Sequence, residues 1–180
     1  MNLAAKILKW VGWRVEVTVP NRSKCIICVA PHTSNWDFVI AELAYTSVGR
    51  AAGFMMKKQW FFWPLGCFFR VIGGIAVPRK NKRGSLTDAV VKKFNESERL
   101  QLAITPEGTR SRNSKWRTGF LCIAKEANVP IQIGIIDYKY KTICIKDEFL
   151  PSGNLDADLI SVKSYYKGAN GRYPDKFTIS

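Results

Sequence analysis

The chain of 180 residues contains one histidine, His32, and a carboxylate, Asp37, follows it five positions later in the segment Pro31-His32-Thr33-Ser34-Asn35-Trp36-Asp37. An imidazole with a carboxylate in reach is a small set of groups able to take a proton from a hydroxyl. The carboxylate fixes the tautomer and stabilises the imidazolium, and the other ring nitrogen acts as general base. Inside one helix the two side chains would point about 140° apart and could not meet. The dyad therefore needs His32 in a turn and Asp37 in the first turn of a helix. The same spacing has a purely structural reading, because Ser34-x-x-Asp37 fits a capping pattern in which Asp37 only satisfies the helix start. Spacing alone leaves both readings open.

Two further segments carry suitable chemistry. In GGIAVPRK, Arg79 follows a short apolar run and paired glycines. In Thr105-Pro106-Glu107-Gly108-Thr109-Arg110-Ser111, Gly108 permits close backbone approach, and Thr109, Arg110 and Ser111 supply donors suited to phosphate oxygens. Glu107 is the odd member beside a phosphate, unless it pairs with an arginine or accepts from a substrate hydroxyl.

The elements that must position these groups are legible from periodicity. Residues 14–19 (RVEVTV) alternate with period two, and residues 24–30 (KCIICVA) form a continuous apolar run, so both read as strands, the second central. The spacing predicts a helix over 35–48, a short strand at GFMMKK, and an aromatic run, residues 59–72, as a helix interrupted at Pro64 and Gly66. A strand at GIAVP, a helix over 85–98 and a strand over 101–105 follow. After these come a helix over 120–127 and strands at IQIGII and YKTICIK. Alternating helices and strands predict an α/β fold: a single domain with a mixed, largely parallel central sheet, helices on both faces, and an N-terminal amphipathic helix. The tail after Gly168 (GANGRYPDKF) reads as loosely ordered.

In strand geometry each loaded segment falls just past a carboxyl end, where ligands collect in open α/β sheets. The composition narrows the partners. Lys and Arg number 28 against 14 Asp and Glu, a formal charge of +14, which favours anionic partners. Five scattered cysteines with no leader argue against a disulfide framework and for a reducing compartment. Cys25 and Cys28 lie in the apolar run, where positions three apart face opposite ways, so they read as core rather than as a redox or zinc pair. No segment approaches the ~20 apolar residues of a spanning helix. Residues 1–13 place Leu3, Ala4, Ile7, Leu8, Trp10 and Val11 on one arc with Lys6 and Lys9 opposite, the pattern of a helix lying in a membrane interface. Residues 14–180 then form the catalytic domain.

In this order the segments resemble the glycerolipid acyltransferase family, whose best-known members are 1-acyl-glycerol-3-phosphate acyltransferases. The resemblance covers roughly residues 24–134. His32 and Asp37 fit the family's His-x4-Asp motif. Lys58, Pro64, Gly66, Gly73 and Arg79 fall along its second block, TPEGTRS resembles its third, and Val129-Pro130-Ile131 resembles its last. The resemblance implies that His32 and Asp37 are catalytic and that Lys58, Arg79, Glu107, Gly108, Thr109 and Arg110 bind the acceptor. The chain departs from the family pattern at Pro31, where many members carry Asn, and at Gln132 and Gly134 in the last block.

The expected reaction moves a fatty acyl group from a thioester, acyl-CoA or an acyl-carrier protein (acyl-ACP), to the hydroxyl of a lysophospholipid-type acceptor. The expected acceptor is 1-acyl-glycerol-3-phosphate, with another lipid acceptor as the alternative. His32 deprotonates the hydroxyl directly, without a covalent acyl-enzyme. Neither a metal nor an organic cofactor is implied. The expected setting is the cytoplasmic face of an anionic membrane, with peripheral attachment. A basic nucleic-acid-binding protein is the rival from another class, but the aromatics cluster in one apolar stretch and no recognised nucleic-acid motif is present. A homologue that has lost activity is a second rival.

Overall fold

The computed structural model describes residues 2–57, 59, 62–64, 66, 67, 73–77 and 86–180, with the backbone alone at Met56, Lys57, Ala76 and Val77. Lys58 and Arg79 lie outside the described residues, as does most of the aromatic run at 59–72.

The chain begins with α1 (Leu3–Trp10) and β1 (Arg14–Val17), followed by β2 (Lys24–Ala30), α2 (Trp36–Ser47), β3 (Gly53–Lys57) and β4 (Gly74–Val77). It continues through α3 (Leu86–Glu96), β5 (Leu100–Ile104), α4 (Gly119–Glu126), β6 (Ile131–Asp137), β7 (Thr142–Phe149) and α5 (Leu155–Ser164), and closes with a 3-10 turn at Pro174–Lys176. The strands form one seven-stranded sheet in the order β1-β7-β6-β2-β5-β3-β4. Among the described residues, only the β6–β7 pairing is antiparallel. The mixed, largely parallel single-domain α/β sheet expected from the alternation is what the chain forms.

Strand period explains the two faces. Ile26, Cys28 and Ala30 of β2 enter a core with Leu102, Ile131 and Ile133 of the neighbouring strands, capped by Val90 and Phe94 of α3, Leu121 and Ala124 of α4, and Val162 of α5. The alternate residues Cys25 and Ile27 pack with Tyr45 of α2 on the opposite face. Leu8 of α1 joins Ile40 and Ala44 of α2 against Ile136 and Ile143 on that second face. Cys25 and Cys28 thus lie on opposite faces, and burial pushes both thiols up to about 12.

The expected N-terminal helix is present, with Asn2 capping it: the Asn2 side chain accepts from Ala5 N at 3.0 Å and donates to Thr46 O at 2.7 Å. Its apolar arc is divided. Ala4 and Leu8 are buried on α2, whereas Leu3, Ile7, Trp10 and Val11 stay exposed. Among the described residues, no helix is long and apolar enough to cross a membrane.

The C-terminal part of the chain differs from the sequence-based expectation. The periodicity gives no sign of α5, because its apolar pattern is weak. Its signals were local: Asn154 caps it through Ala157 N, Asp156 and Asp158 occupy the first turn, and Lys163 the last. The tail after Gly168 is built into the molecule instead of loosely ordered. Phe177 and Ile179 pack against the main core, and Trp116 Nε1 donates to Thr178 O at 3.3 Å. Tyr166, fully buried just beyond α5, donates its hydroxyl to the Cys28 carbonyl at 2.6 Å. The substitution Tyr166→Phe should cost about 1 kcal/mol, and Phe94→Ala about 3–5 kcal/mol, in urea-unfolding free energy.

Candidate active site

Sheet register brings the chemistry together. Ala30 pairs with Ile135 of β6, and Cys28 pairs with Ile104 of β5, all parallel. The segments leaving the carboxyl ends of β2, β5 and β6 therefore emerge side by side. They carry His32, Thr105 to Glu107, and Tyr138.

Asp37 is the centre of the arrangement, at 1% exposure. Its Oδ2 lies 3.3 Å from His32 Nδ1. The same oxygen accepts from the backbone N–H groups of Thr33 at 2.7 Å and Ser34 at 2.8 Å. Oδ1 accepts from the Tyr138 hydroxyl at 2.7 Å. Meanwhile Ser34 Oγ accepts from Trp36 N at 3.2 Å, which completes a reciprocal cap at the start of α2. The two readings of Ser34-x-x-Asp37 are thus compatible. One carboxylate caps the helix and faces the imidazole.

Burial works against a charged Asp37, but His32, the Tyr138 hydroxyl and the N–H groups of Ser34 and Thr33 outweigh it and hold the carboxyl below its ordinary range. With Nδ1 turned to Asp37, Nε2 is the nitrogen left for a substrate proton. The His32 side chain is 21% exposed. It opens on a cavity of about 560 Å³ whose lining includes Val29, Phe38, Ala41, Phe54, Met55, Ile104 and Thr105. The walls are mainly apolar.

Glu107 approaches from the other side. Its Oε1 accepts from His32 N at 2.8 Å, tying the loop after β5 to the histidine loop. Its Oε2 is buried and has no hydrogen-bond partner among the described residues. Burial pushes this carboxyl up to about 7, against the pull of nearby N–H groups and of His32. Gly108 follows at φ +64, a left-handed conformation suited to glycine, and the Arg117 side chain lies across it, with Cγ at 3.2 Å from where a Cβ would stand. Thr109 Oγ1 accepts from Ser111 N at 3.2 Å. Arg110 is exposed on the same loop.

Of the residues expected at the site, the structure brings His32, Asp37 and Glu107 together and carries Gly108, Thr109 and Arg110 on the adjoining loop. Tyr138 and Thr33 were missed by sequence reasoning. The available signal for Tyr138 was positional, since it follows the carboxyl end of the strand beside β2.

The Acyltransferase family model matches residues 14–135. The chain therefore belongs to the acyltransferase family. Over 114 residues it is 32% identical to a 1-acyl-sn-glycerol-3-phosphate acyltransferase of Streptococcus pneumoniae (strain ATCC BAA-255 / R6), an alignment that takes in 63% of this chain and 42% of that relative. The match thus spans less than half of the relative's length. The fold is similar to that in the crystal structure of the 1-acyl-sn-glycerophosphate (LPA) acyltransferase PlsC from Thermotoga maritima, with a TM-score of 0.61 at 19% identity. That likeness covers 94% of this chain and 78% of the other.

A carboxyl that the folded protein holds protonated up to about 7, against 4.5 ordinarily, favours the folded state at low pH and loses that contribution as pH rises through the interval. Glu107→Gln should therefore flatten the decline of Tm between pH 5 and pH 8, a comparison made by scanning calorimetry of variant and wild type. A decline as steep in the variant would place the titration on another group.

Proposed function

We propose that the protein transfers a fatty acyl group from an acyl thioester to the hydroxyl of a lysophospholipid-type acceptor, with 1-acyl-glycerol-3-phosphate as the acceptor that fits best. The observation that carries this reading is the His32–Asp37 pair at the mouth of a mainly apolar cavity, with the Glu107 loop fastened to the histidine backbone.

Nε2 of His32 takes the proton of the acceptor hydroxyl, and the oxygen attacks the thioester carbonyl. The tetrahedral intermediate collapses with loss of the thiolate, and the proton on His32 passes to the departing sulfur. One ester forms and one thioester breaks, with no net change in protons. Asp37 stabilises the transient imidazolium. The apolar walls suit an acyl chain, and the donor is acyl-CoA or an acyl-carrier protein. Glu107 holds the acceptor through Oε2, which is unpartnered among the described residues, and Arg110 with Gly108 and Thr109 receives the phosphate. Lys58 and Arg79 join the acceptor site by the family resemblance. The exposed arc of Leu3, Ile7, Trp10 and Val11, flanked by Lys6 and Lys9, supports attachment to an anionic membrane surface.

The test is a panel of lysolipids offered with each donor class, with products identified by mass spectrometry. His32→Ala should lower turnover by about two to four orders of magnitude while leaving the fold intact. A folded variant of near wild-type activity would overturn the assignment. Arg110→Ala should raise KM for phosphorylated acceptors by about tenfold or more, and unchanged acceptor kinetics would remove Arg110 from the phosphate site.

A further inference from the structure

The region matched by the family model ends at residue 135, yet the pair at His32 is completed by groups beyond it. Tyr138 stands in the turn after β6, 101 positions from Asp37, and gives its hydroxyl to the carboxylate oxygen that takes none of the backbone N–H bonds. Tyr138 is held in turn by the segment after α5. Its backbone N–H donates to Asn170 O at 2.8 Å, while Asn170 donates to Asp137 Oδ2 from its backbone N at 3.3 Å and from Nδ2 at 3.2 Å. The segment also grips the histidine loop. Gly171 is packed so closely that a Cβ there would stand 2.8 Å from Thr33 Cγ2 and 3.2 Å from Pro31 Cβ, and Tyr173 N donates to Thr33 Oγ1 at 3.3 Å. Trp13 meets the Tyr138 ring edge-on at 5.0 Å, so the phenol is confined from the side as well.

We propose that Tyr138, fixed by the segment from Gly168 to Tyr173, is a positioning residue for the His32–Asp37 pair and sets how strongly the carboxylate draws a proton onto the imidazole. The physical reason is competition for one carboxylate. A hydroxyl donating to Oδ1 draws negative charge away from the oxygen that faces His32, and it prevents rotation of the carboxylate about its own axis. Removing that donor leaves the charge to Nδ1 and the N–H groups of Thr33 and Ser34, strengthens the imidazolium and weakens its return of the proton. The other titratable or charged groups facing the pair, among the described residues, are Glu42 of α2, which lines the same cavity, Glu107 from the loop after β5, and Arg172 and Tyr173 from the C-terminal segment. None of them reaches Oδ1.

This rests on the acyl-transfer reading only for its catalytic consequence, because His32 is the single histidine and its ring protons report on the pair directly. In a proton NMR titration of the intact protein, Tyr138→Phe should move the His32 midpoint upward from the wild-type value by about half a pH unit. Asn170→Ala, which keeps the hydroxyl but loosens its support, should move it the same way by less. In the acylation assay, Tyr138→Phe should lower kcat about tenfold with KM for donor and acceptor within about twofold. An unmoved or lowered midpoint in a folded Tyr138→Phe protein would overturn the proposal, as would a wild-type kcat. If Tyr138→Phe does not fold, an unmoved midpoint in Asn170→Ala overturns it instead. Absence of acylated product from the wild-type protein with every donor and acceptor of the panel would sink the acyl-transfer reading alone, leaving the NMR midpoint to judge Tyr138.

Discussion

A carboxylate at 1% exposure has to be satisfied inside the protein, and much of the site follows from how Asp37 meets that requirement. An unpaired buried charge costs several kcal/mol. Here the charge is met by the imidazole, the Thr33 and Ser34 N–H groups and the Tyr138 hydroxyl. The two N–H donors are nearby in sequence and fix the turn between β2 and α2. The phenol comes from a different part of the sheet. Loss of any one donor leaves the rest holding a less compensated charge, so the interactions are coupled and their contributions do not add.

The sheet makes this arrangement possible. Parallel pairing of β2 with both β5 and β6 places three carboxyl ends in one row, and the reversal of direction at β7 lets the chain turn at Tyr138 beside the site instead of crossing the sheet. The apolar residues that make β2 central are the ones that force this row. Their alternation sends Ile26 and Cys28 into one core and Cys25 and Ile27 into the other, so a one-residue slip in register would reverse every one of them. Register is thus fixed by burial, and the site is a by-product of burial at some distance from it.

Local chemistry was readable from the sequence, and long-range chemistry was not. The His32-to-Asp37 spacing allows a turn followed by a helix start, and both the imidazole–carboxylate contact and the cap come from that one segment. Periodicity placed the strands on which the parallel sheet depends. Tyr138 could not be identified the same way, because its partner lies 101 residues away and only the strand order makes them neighbours. The tail failed for a related reason. Gly, Asn and Pro read locally as loose chain, but Gly171 is needed there because a side chain would collide with Thr33. Its order is tertiary, supplied by Asp137, Thr33 and the core around Trp116.

Two carboxyl groups flank one imidazole loop, and their surroundings drive them apart. Asp37 is buried but surrounded by donors and is held below its ordinary range. Glu107 is buried with one oxygen unpartnered among the described residues and is pushed up to about 7. Two equally charged carboxylates so close to each other would repel, and the Coulomb influence of Asp37 is among the causes that raise Glu107. The division suits the two groups to different parts of the proposed reaction. The group that remains an anion is suited to orient and stabilise a protonated histidine, whereas the group poised near neutrality can accept or donate a hydrogen bond to a hydroxyl entering the site. A hydroxyl bound to Glu107 Oε2 would also satisfy the orphaned oxygen, so the same contact that positions an acceptor relieves the desolvation that raised the carboxyl. On the proposed reading, acceptor binding should consequently release part of the proton carried by Glu107 near neutral pH, coupling occupancy of the site to its own charge.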